Sequence, residues 1–256
     1  LDVEPKEEVL LFSSQGRGWK GAVGFIPEEA EPEDIGLEKG ETIVGMAVPE
    51  PGKCLVMVSR NGKVKRTQVE DLGLTDRTWE PVMGLTDEDD RLLTGTVAGD
   101  DAHIVFYTRE AQALRIEATS VNPQQTGSAS GVAGIKLRKD DVLLGAVVVP
   151  NGEDEKTWQI VVASEKGYVH RFPMAEVSVK GRSTMGVRTL RSSKTSGKLA
   201  AMAIGKADDD LDIYLEDGRR QHIPFSKIPL TSRDVQGDQL VDDPKGESVD
   251  MAVVLR

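Results

Sequence analysis

Cysteine is almost missing from this chain. Cys54 is the only one in 256 residues, so no disulfide framework is possible and no cysteine cluster can hold a metal. Its setting, the apolar run Cys54-Leu55-Val56-Met57-Val58, is that of a buried core thiol in a reducing compartment. Histidine is nearly as scarce, with three residues, and aromatics make up only 4% of the chain. No apolar run approaches the roughly 20 residues that a membrane helix needs, and no signal-peptide pattern opens the sequence as it stands. These absences lead us to expect a cytoplasmic chain with no membrane partner. The 3.6-residue periodicity of amphipathic helices is also nearly absent.

What remains is aliphatic and acidic. Hydrophobic residues are 38% of the chain, mostly Val, Ile and Leu, and 43 acids against 32 Lys/Arg give a net charge of −11. The length suits two ordinary domains or one large all-β domain. An acidic chain is repelled on average by polyphosphate, so any nucleic-acid reading must rest on where the positive charges sit.

A repeat organises the sequence. "VSRNGKVKRTQVEDL" (58–72) reads as strand, tight turn, strand, and its Asn-Gly predicts a two-residue type I′ hairpin. The same shape recurs in "LFSSQGRGWKG", "FYTREAQALRI", "VASEKGYVHRF" and "YLEDGRRQHIP". The turns fall at Gly16, Gly62, Ala111, Gly167 and Gly218, separated by 46, 49, 56 and 51 residues. An apolar strand keeps the same beat, centred on Gly45, Gly95, Gly145, Ala201 and Asp250. A small-residue turn and a further apolar stretch lie between in "TGSASGVAGIKL" and "GRSTMGVRTLR". We therefore expect an all-β, propeller-like fold of about five four-stranded blades, spanning 1–256 as one domain. Ring closure is expected through residues 249–255, pairing into the blade of residues 8–20 and removing two exposed edges.

The repeat also carries charge. Four residues past each turn stand Lys20, Arg66, Arg115, Arg171 and His222. One chosen column would be all basic by chance on the order of 5 times in 100,000, before allowing for roughly fifty columns. Fifteen residues past three of the turns stand Arg77, Arg182 and Arg233, while Gly127 and Glu31 hold the related places in the third and first repeats. From Glu165 to Lys198 eight Lys/Arg face two acids. The acids gather elsewhere, in "PEEAEPED" (27–34), "DEDD" (87–90), Asp100-Asp101, Asp140-Asp141, "EDE" (153–155), "DDD" (208–210) and Asp242-Asp243. They read as solvated loops that keep the domain soluble.

"SEKGYVHRFPMAEVSVKGRSTMGVRTLR" (164–191) and "LVMVSRNGKVKRTQVEDL" (55–72) resemble the blade repeat in the C-terminal domain of the A subunit of bacterial DNA gyrase, and of its counterpart in topoisomerase IV. The resemblance implies a β-pinwheel, a propeller variant with altered strand exchange, read as the C-terminal fragment of a longer subunit. It implies an outer rim that binds and bends duplex DNA for strand passage by a type IIA topoisomerase. The implied partners are duplex DNA, the rest of the A subunit, plus its ATPase partner subunit. The isolated domain would be a monomer, nucleoid-associated, without a cofactor. The candidate DNA contacts are then Lys20, Arg66, Arg115 and Arg171 of the first column and Arg77, Arg182 and Arg233 of the second, with their basic neighbours Lys63, Lys65, Lys166, Lys180, Arg188, Arg219 and Arg220. Blade one, with Glu31 among other acids, is expected to repel phosphate, leaving the DNA to blades two to five.

The chain departs from the family in places. "QGRGWKG" (15–21) matches five of the seven positions of the gyrase box Gln-Arg-Arg-Gly-Gly-Lys-Gly, but it falls on a hairpin turn rather than in the loop where the box belongs. The third turn has Glu110-Ala111 in place of a glycine. Catalysis by this chain is not expected: His103, His170 and His222 fall in separate repeats, no serine has a nucleophile-elbow context, and "SASGVAG" lacks the lysine of a phosphate loop. Tyr107, Tyr168, Tyr214 and the three tryptophans read as packing residues. The competing reading is a propeller that binds another protein. An enzyme with a pocket on the propeller axis is a third, without support in the residues.

Overall fold

A computed structural model describes residues 4–27, 29, 31–150, 155–242 and 248–255. Of the acidic positions singled out above, Glu28, Glu153, Asp154 and Asp243 lie outside the described residues. The chain is all-β apart from short 3-10 turns, and forms two compact units, residues 1–102 with 118–134, and 103–117 with 135–256.

The first repeat supplies β1 (Glu8–Ser13), β2 (Arg17–Ala22) and β3 (Ile43–Ala47). The second supplies β4 (Cys54–Ser59), β5 (Lys63–Gln68), β6 (Glu80–Pro81) and β7 (Leu92–Ala98). The third gives β8 (His103–Thr108), β9 (Gln112–Glu117), β10 (Val132–Ala133) and β11 (Leu143–Val149). The fourth gives β12 (Gln159–Ser164), β13 (Tyr168–Pro173), β14 (Val187–Arg188) and β15 (Leu199–Gly205). The fifth gives β16 (Asp210–Leu215), β17 (Arg220–Pro224), β18 (Asp238–Gln239) and β19 (Val249–Leu255).

Each four-stranded sheet mixes two repeats. The orders are β3-β1-β2-β6 and β10-β5-β4-β7 in the first unit, and β11-β8-β9-β14, β15-β12-β13-β18 and β17-β16-β19 in the second. In the four-stranded sheets the short outer strand comes from the next repeat: β6 pairs with β2, β10 with β5, β14 with β9 and β18 with β13. Among the described residues the fifth sheet has three strands, and β17 receives no such donation. The expected closure through 249–255 is corrected here. β19 pairs with β16 of its own repeat, from Asp210↔Leu255 to Leu215↔Val249, because the long apolar strand of every repeat returns to its own hairpin.

The five turns are alike, though not as predicted. In each, the N–H of the turn residue donates to the carbonyl three residues back: Gly16 to Ser13, Gly62 to Ser59, Ala111 to Thr108, Gly167 to Ser164 and Gly218 to Leu215. These five residues are left-handed, with φ between 59° at Ala111 and 82° at Gly218, whereas Asn61 is not. This is a tight turn followed by one left-handed residue, in place of type I′. The long strand meets the hairpin at a bulge in every sheet, as between Val58 and Ser59. Aliphatic clusters fill the space between sheets within each unit. One joins Leu10, Phe12, Leu55, Met57 and Leu92 in the first unit; another joins Val105, Ile160, Val162, Phe172 and Leu190 in the second.

The donated strands explain which turn glycines are irreplaceable. A Cβ on Gly16 would collide with the carbonyl oxygen of Met83, and one on Gly167 would lie 2.5 Å from the carbonyl oxygen of Val241. On Gly218 it would meet nothing within 4 Å. Left-handed backbone alone costs an alanine about 1–2 kcal/mol. Gly218→Ala should show only that loss in urea unfolding, while Gly16→Ala and Gly167→Ala should lose about 1–3 kcal/mol more from the collision. Equal losses at the three positions would refute the role given to the donated strands.

Candidate nucleic-acid interface

The register bears out the equivalence of the first basic column. Lys20, Arg66, Arg115, Arg171 and His222 stand opposite Leu10, Val56, Val105, Val161 and Asp212, the same place in each hairpin. Its placement differs from the expectation of a solvent-facing belt. Arg66 is 2% exposed and Arg115 1%. The Arg66 guanidinium donates to the carbonyl oxygens of Ala118 and Val121, both at 3.1 Å, and to Cys54 Sγ at 3.2 Å, and pairs with Asp100. Arg115 Nε donates to His103 Nδ1 at 3.0 Å. Arg171 is half-buried; its Nε donates to the Ile228 carbonyl at 2.8 Å and its Nη1 to Gln159. Lys20, at the surface, pairs with Glu8 at 2.8 Å, and His222 faces Asp212 at 3.0 Å.

Arg66 and Arg171 hold a crossing segment. Residues past the next hairpin run beside the column in parallel: Pro123 at Arg66, Val179 at Arg115 and Leu230 at Arg171. The segment then continues into the donated strand. An extended crossing exposes carbonyls that no ladder satisfies, and a guanidinium fork supplies several donors in one plane. Lys65 does the same from the other face of β5. Its side chain is fully buried, and Nζ donates to the carbonyls of Val82 at 2.7 Å, Thr126 at 2.6 Å and Gly127 at 3.3 Å. Burial pushes its pKa down to about 8, because no carboxylate offsets the lost hydration. Cys54 is buried as expected, and burial raises its thiol above the ordinary range.

The second column lies outside. Arg77 and Arg182 are exposed, on the loops that lead into β6 and β14. Arg233 is half-buried, with Nη1 donating to the Arg188 carbonyl at 2.6 Å. Arg188 pairs with Asp234 at 2.7 Å while keeping its side chain 56% exposed. Arg191 donates to the Asp234 carbonyl at 3.0 Å, so Arg188, Arg191 and Arg233 gather around one aspartate. The paired guanidinium holds the Asp234 carboxyl below its usual range. Lys180 is exposed, and the Lys136 N–H donates to the Thr184 carbonyl at 3.0 Å, bringing a further exposed cation beside this loop. Residues 177–198 contain six Lys/Arg and no acid.

The other candidates are scattered. Lys63 is half-buried opposite Ala133, and Lys166 donates to the Lys194 carbonyl at 2.7 Å. Arg219 turns onto Asp217 and Arg220 onto Asp212. The box-like stretch 15–21 sits on the β1–β2 turn, and Arg17 there is paired with the buried Glu41.

Sequence reading missed the buried acids. Asp90 and Asp141 look like members of solvated runs, yet they are 0% and 7% exposed. Asp90 accepts from Ser59 Oγ at 3.1 Å and from the Asn61 N–H at 3.0 Å; Asp141 accepts from Thr108 Oγ1 at 2.7 Å and from the Glu110 N–H at 3.0 Å. Each caps a hairpin turn. The available signal was position, since both directly precede a long apolar strand. Among the described residues no cluster of His, Cys, Asp or Glu could hold a metal, and no helix is long and apolar enough to cross a membrane.

With that geometry in view, comparison with known proteins is decisive. Residues 55–94, 102–150 and 159–204 match the family described as DNA gyrase C-terminal domain, beta-propeller. This chain belongs to that family. It is 29% identical to the A subunit of DNA gyrase from Deinococcus deserti and 30% identical to that from Aminobacterium colombiense, each over 97% of this chain. It spans about a third of those relatives' length, 32% and 30%. The solved C-terminal domain of DNA topoisomerase IV superposes with TM-score 0.87 at 20% identity, covering 100% of this chain and 81% of that one. The DNA gyrase A C-terminal domain superposes with TM-score 0.84 at 19% identity, covering 99% and 84%. The fold is thus the β-pinwheel of these domains, and the exchanged outer strands are its mark.

Two outcomes follow for the buried cations of this gyrase-type domain. Removing one partner from a buried ionic network costs about 3–5 kcal/mol, so Arg66→Ala should lose that much in urea denaturation. Arg182→Ala, at the surface, should stay within about 0.5 kcal/mol. For Lys65 the folded pKa is about 8 against 10.5 unfolded. Between those values the unfolded chain binds more protons, so stability must rise with pH. The difference in stability between the parent and Lys65→Met, measured from pH 8 to 10, should grow steadily; a flat difference would contradict the desolvated ammonium.

Proposed function

We propose that this domain binds and bends duplex DNA as an accessory part of a type IIA topoisomerase A subunit, working with the rest of that subunit, together with its ATPase partner. The observation that carries the reading is the element at 177–198, with six Lys/Arg and no acid in a chain of net charge −11. Lys180, Arg182, Arg188 and Arg191 on it are exposed. Membership of the gyrase family supports the same reading. The contacts are redistributed from those first expected: Lys65, Arg66 and Arg115 spend their donors inside the fold, and the phosphate contacts fall to the loop cations, with Lys136 and Arg233 beside them. Such cations position phosphates and do not read bases. The acidic remainder of the chain keeps the affinity modest.

The test is fluorescence anisotropy with a labelled duplex over a salt series. If about four to six phosphates are neutralised, log K should fall with log[salt] at a slope of roughly −4 to −5. Lys180→Ala with Arg182→Ala should lower the slope by about two, one per lost contact. Bending a site of 20–30 base pairs costs on the order of 1–6 kcal/mol, so a bend-sensitive FRET duplex should lose its signal before binding is lost. Asp208→Ala with Glu216→Ala is the acidic control and should change little. A flat salt response, or equal losses from both pairs, would place the interface elsewhere.

A further inference from the structure

The stretch 15–21, which resembles a gyrase box without its loop, serves a different structural purpose. Arg17 and Trp19 line an open cavity of about 610 Å³ in the first unit, together with Phe25, Trp79, Asp34 and Asp76. That volume falls within the roughly 300–1,000 Å³ of ligand clefts. The aromatic walls are fixed. The Trp19 ring lies over Gly21, where a Cβ would come within 2.5 Å of the indole, and Trp79 lies against the left-handed Gly36, where a Cβ would be 3.6 Å from the ring. The Trp19 indole N–H donates to the Asp76 carbonyl at 3.1 Å and that of Trp79 to the Ile35 carbonyl at 2.7 Å. Their N–H groups are therefore used, and both half-buried rings line the cavity. Phe25 stands beside them 66% exposed, a large aromatic left in water.

The charge at the mouth is negative. Arg17 is neutralised by Glu41 and lies 3.8 Å from Glu38. Among its lining residues Asp34 and Asp76 are exposed acids and Arg77 an exposed cation; Glu31 and Glu33 are exposed near Asp34 in the chain, and Lys6 and Lys20 line an adjoining pocket that shares Phe25 and Asp76. Indole faces attract cations and carboxylates reinforce them, whereas a phosphate would be repelled. Guanidinium is the better match, because it is planar, weakly hydrated and stacks on aromatic rings. We infer that this cavity is a docking site for an arginine or lysine side chain carried on an extended basic segment of a partner protein. This site is independent of the DNA reading and lies in the unit that lacks the basic 177–198 element.

The experiment uses the whole chain and a fluorescein-labelled hexa-arginine peptide, followed by anisotropy at moderate salt. The peptide should bind, and Trp79→Leu and Asp76→Lys should each weaken it about tenfold. Trp79→Phe keeps a π face and should stay within about threefold of the parent, which still decides the matter if the leucine variant fails to fold. Asp208→Lys changes the net charge as much as Asp76→Lys and should leave affinity within about twofold. Equal loss from the two lysine variants would mean general attraction to an acidic chain and would overturn the site. Unchanged binding in Trp79→Leu would do the same. Displacement of the peptide by octathymidylate, itself lost in Trp79→Leu, would instead make the cavity a base-stacking site and refute a protein partner.

Discussion

Cations set into a hairpin and satisfied by backbone carbonyls of the segments packed against it are the constraint on which this fold depends. The crossing segments are extended and the strands they lead to are two residues long, so the ladder alone leaves many carbonyls unmatched. Arg66 answers Ala118 and Val121, Arg171 answers Ile228, and Lys65 answers Val82, Thr126 and Gly127. An apolar residue in these places would remove a donor from each of these carbonyls; Ala118 and Thr126 would keep the N–H groups of Val121 and Ala129, and a buried carbonyl left without a partner costs about 1–3 kcal/mol. The arrangement also fixes geometry, since a guanidinium held by two carbonyls sets where the crossing segment lies and hence where its donated strand begins.

Much of the architecture was legible because it is written in local chemistry. Five turn residues with left-handed φ and five long apolar strands keep the beat that the sequence shows. Even Ala111, at φ 59°, takes the glycine conformation because its surroundings over-determine it. The short exchanged strands were harder. β14 and β10 were visible as apolar stretches, but two residues carry no alternation that could name a partner sheet. The closure through 249–255 failed for that reason. It assumed that edges are covered by long strands, whereas the fold covers them with short ones from the following repeat.

The basic column shows what charge patterning cannot tell. A column of one sign reads the same whether its oxygen acceptors are phosphates outside or peptide carbonyls inside, since both accept the same donors. Depth separates the two, and depth depends on the crossing segment. The same holds for the acids: Asp90 and Asp87 sit in one run, yet Asp90 is fully buried under Ser59 and Asn61 while Asp87 is exposed. The charges that face solvent are therefore a subset of the sequence, and within that subset the loop at 180–191 stands out more sharply than the total of −11 suggests.

The fifth repeat supplies the control for this account. Among the described residues no segment crosses β17 and no strand is donated to it. At that place the column holds His222, half-exposed and turned onto Asp210 and Asp212 at 3.6 and 3.0 Å. Where a segment crosses the hairpin and donates its strand, the column residue is Lys20, Arg66, Arg115 or Arg171, and of these four Arg66 and Arg115 are fully buried. Had the column existed to hold phosphate, its arginines should be most exposed, and the bare hairpin should carry one. It carries instead the one residue of the five that is neither lysine nor arginine. Arg66 and Arg171 thus turn to the carbonyls of the segments that cross them, Lys20 turns to Glu8 at its own hairpin, and the exposed cations at 180–191 lie on and beyond the segment that leads into β14.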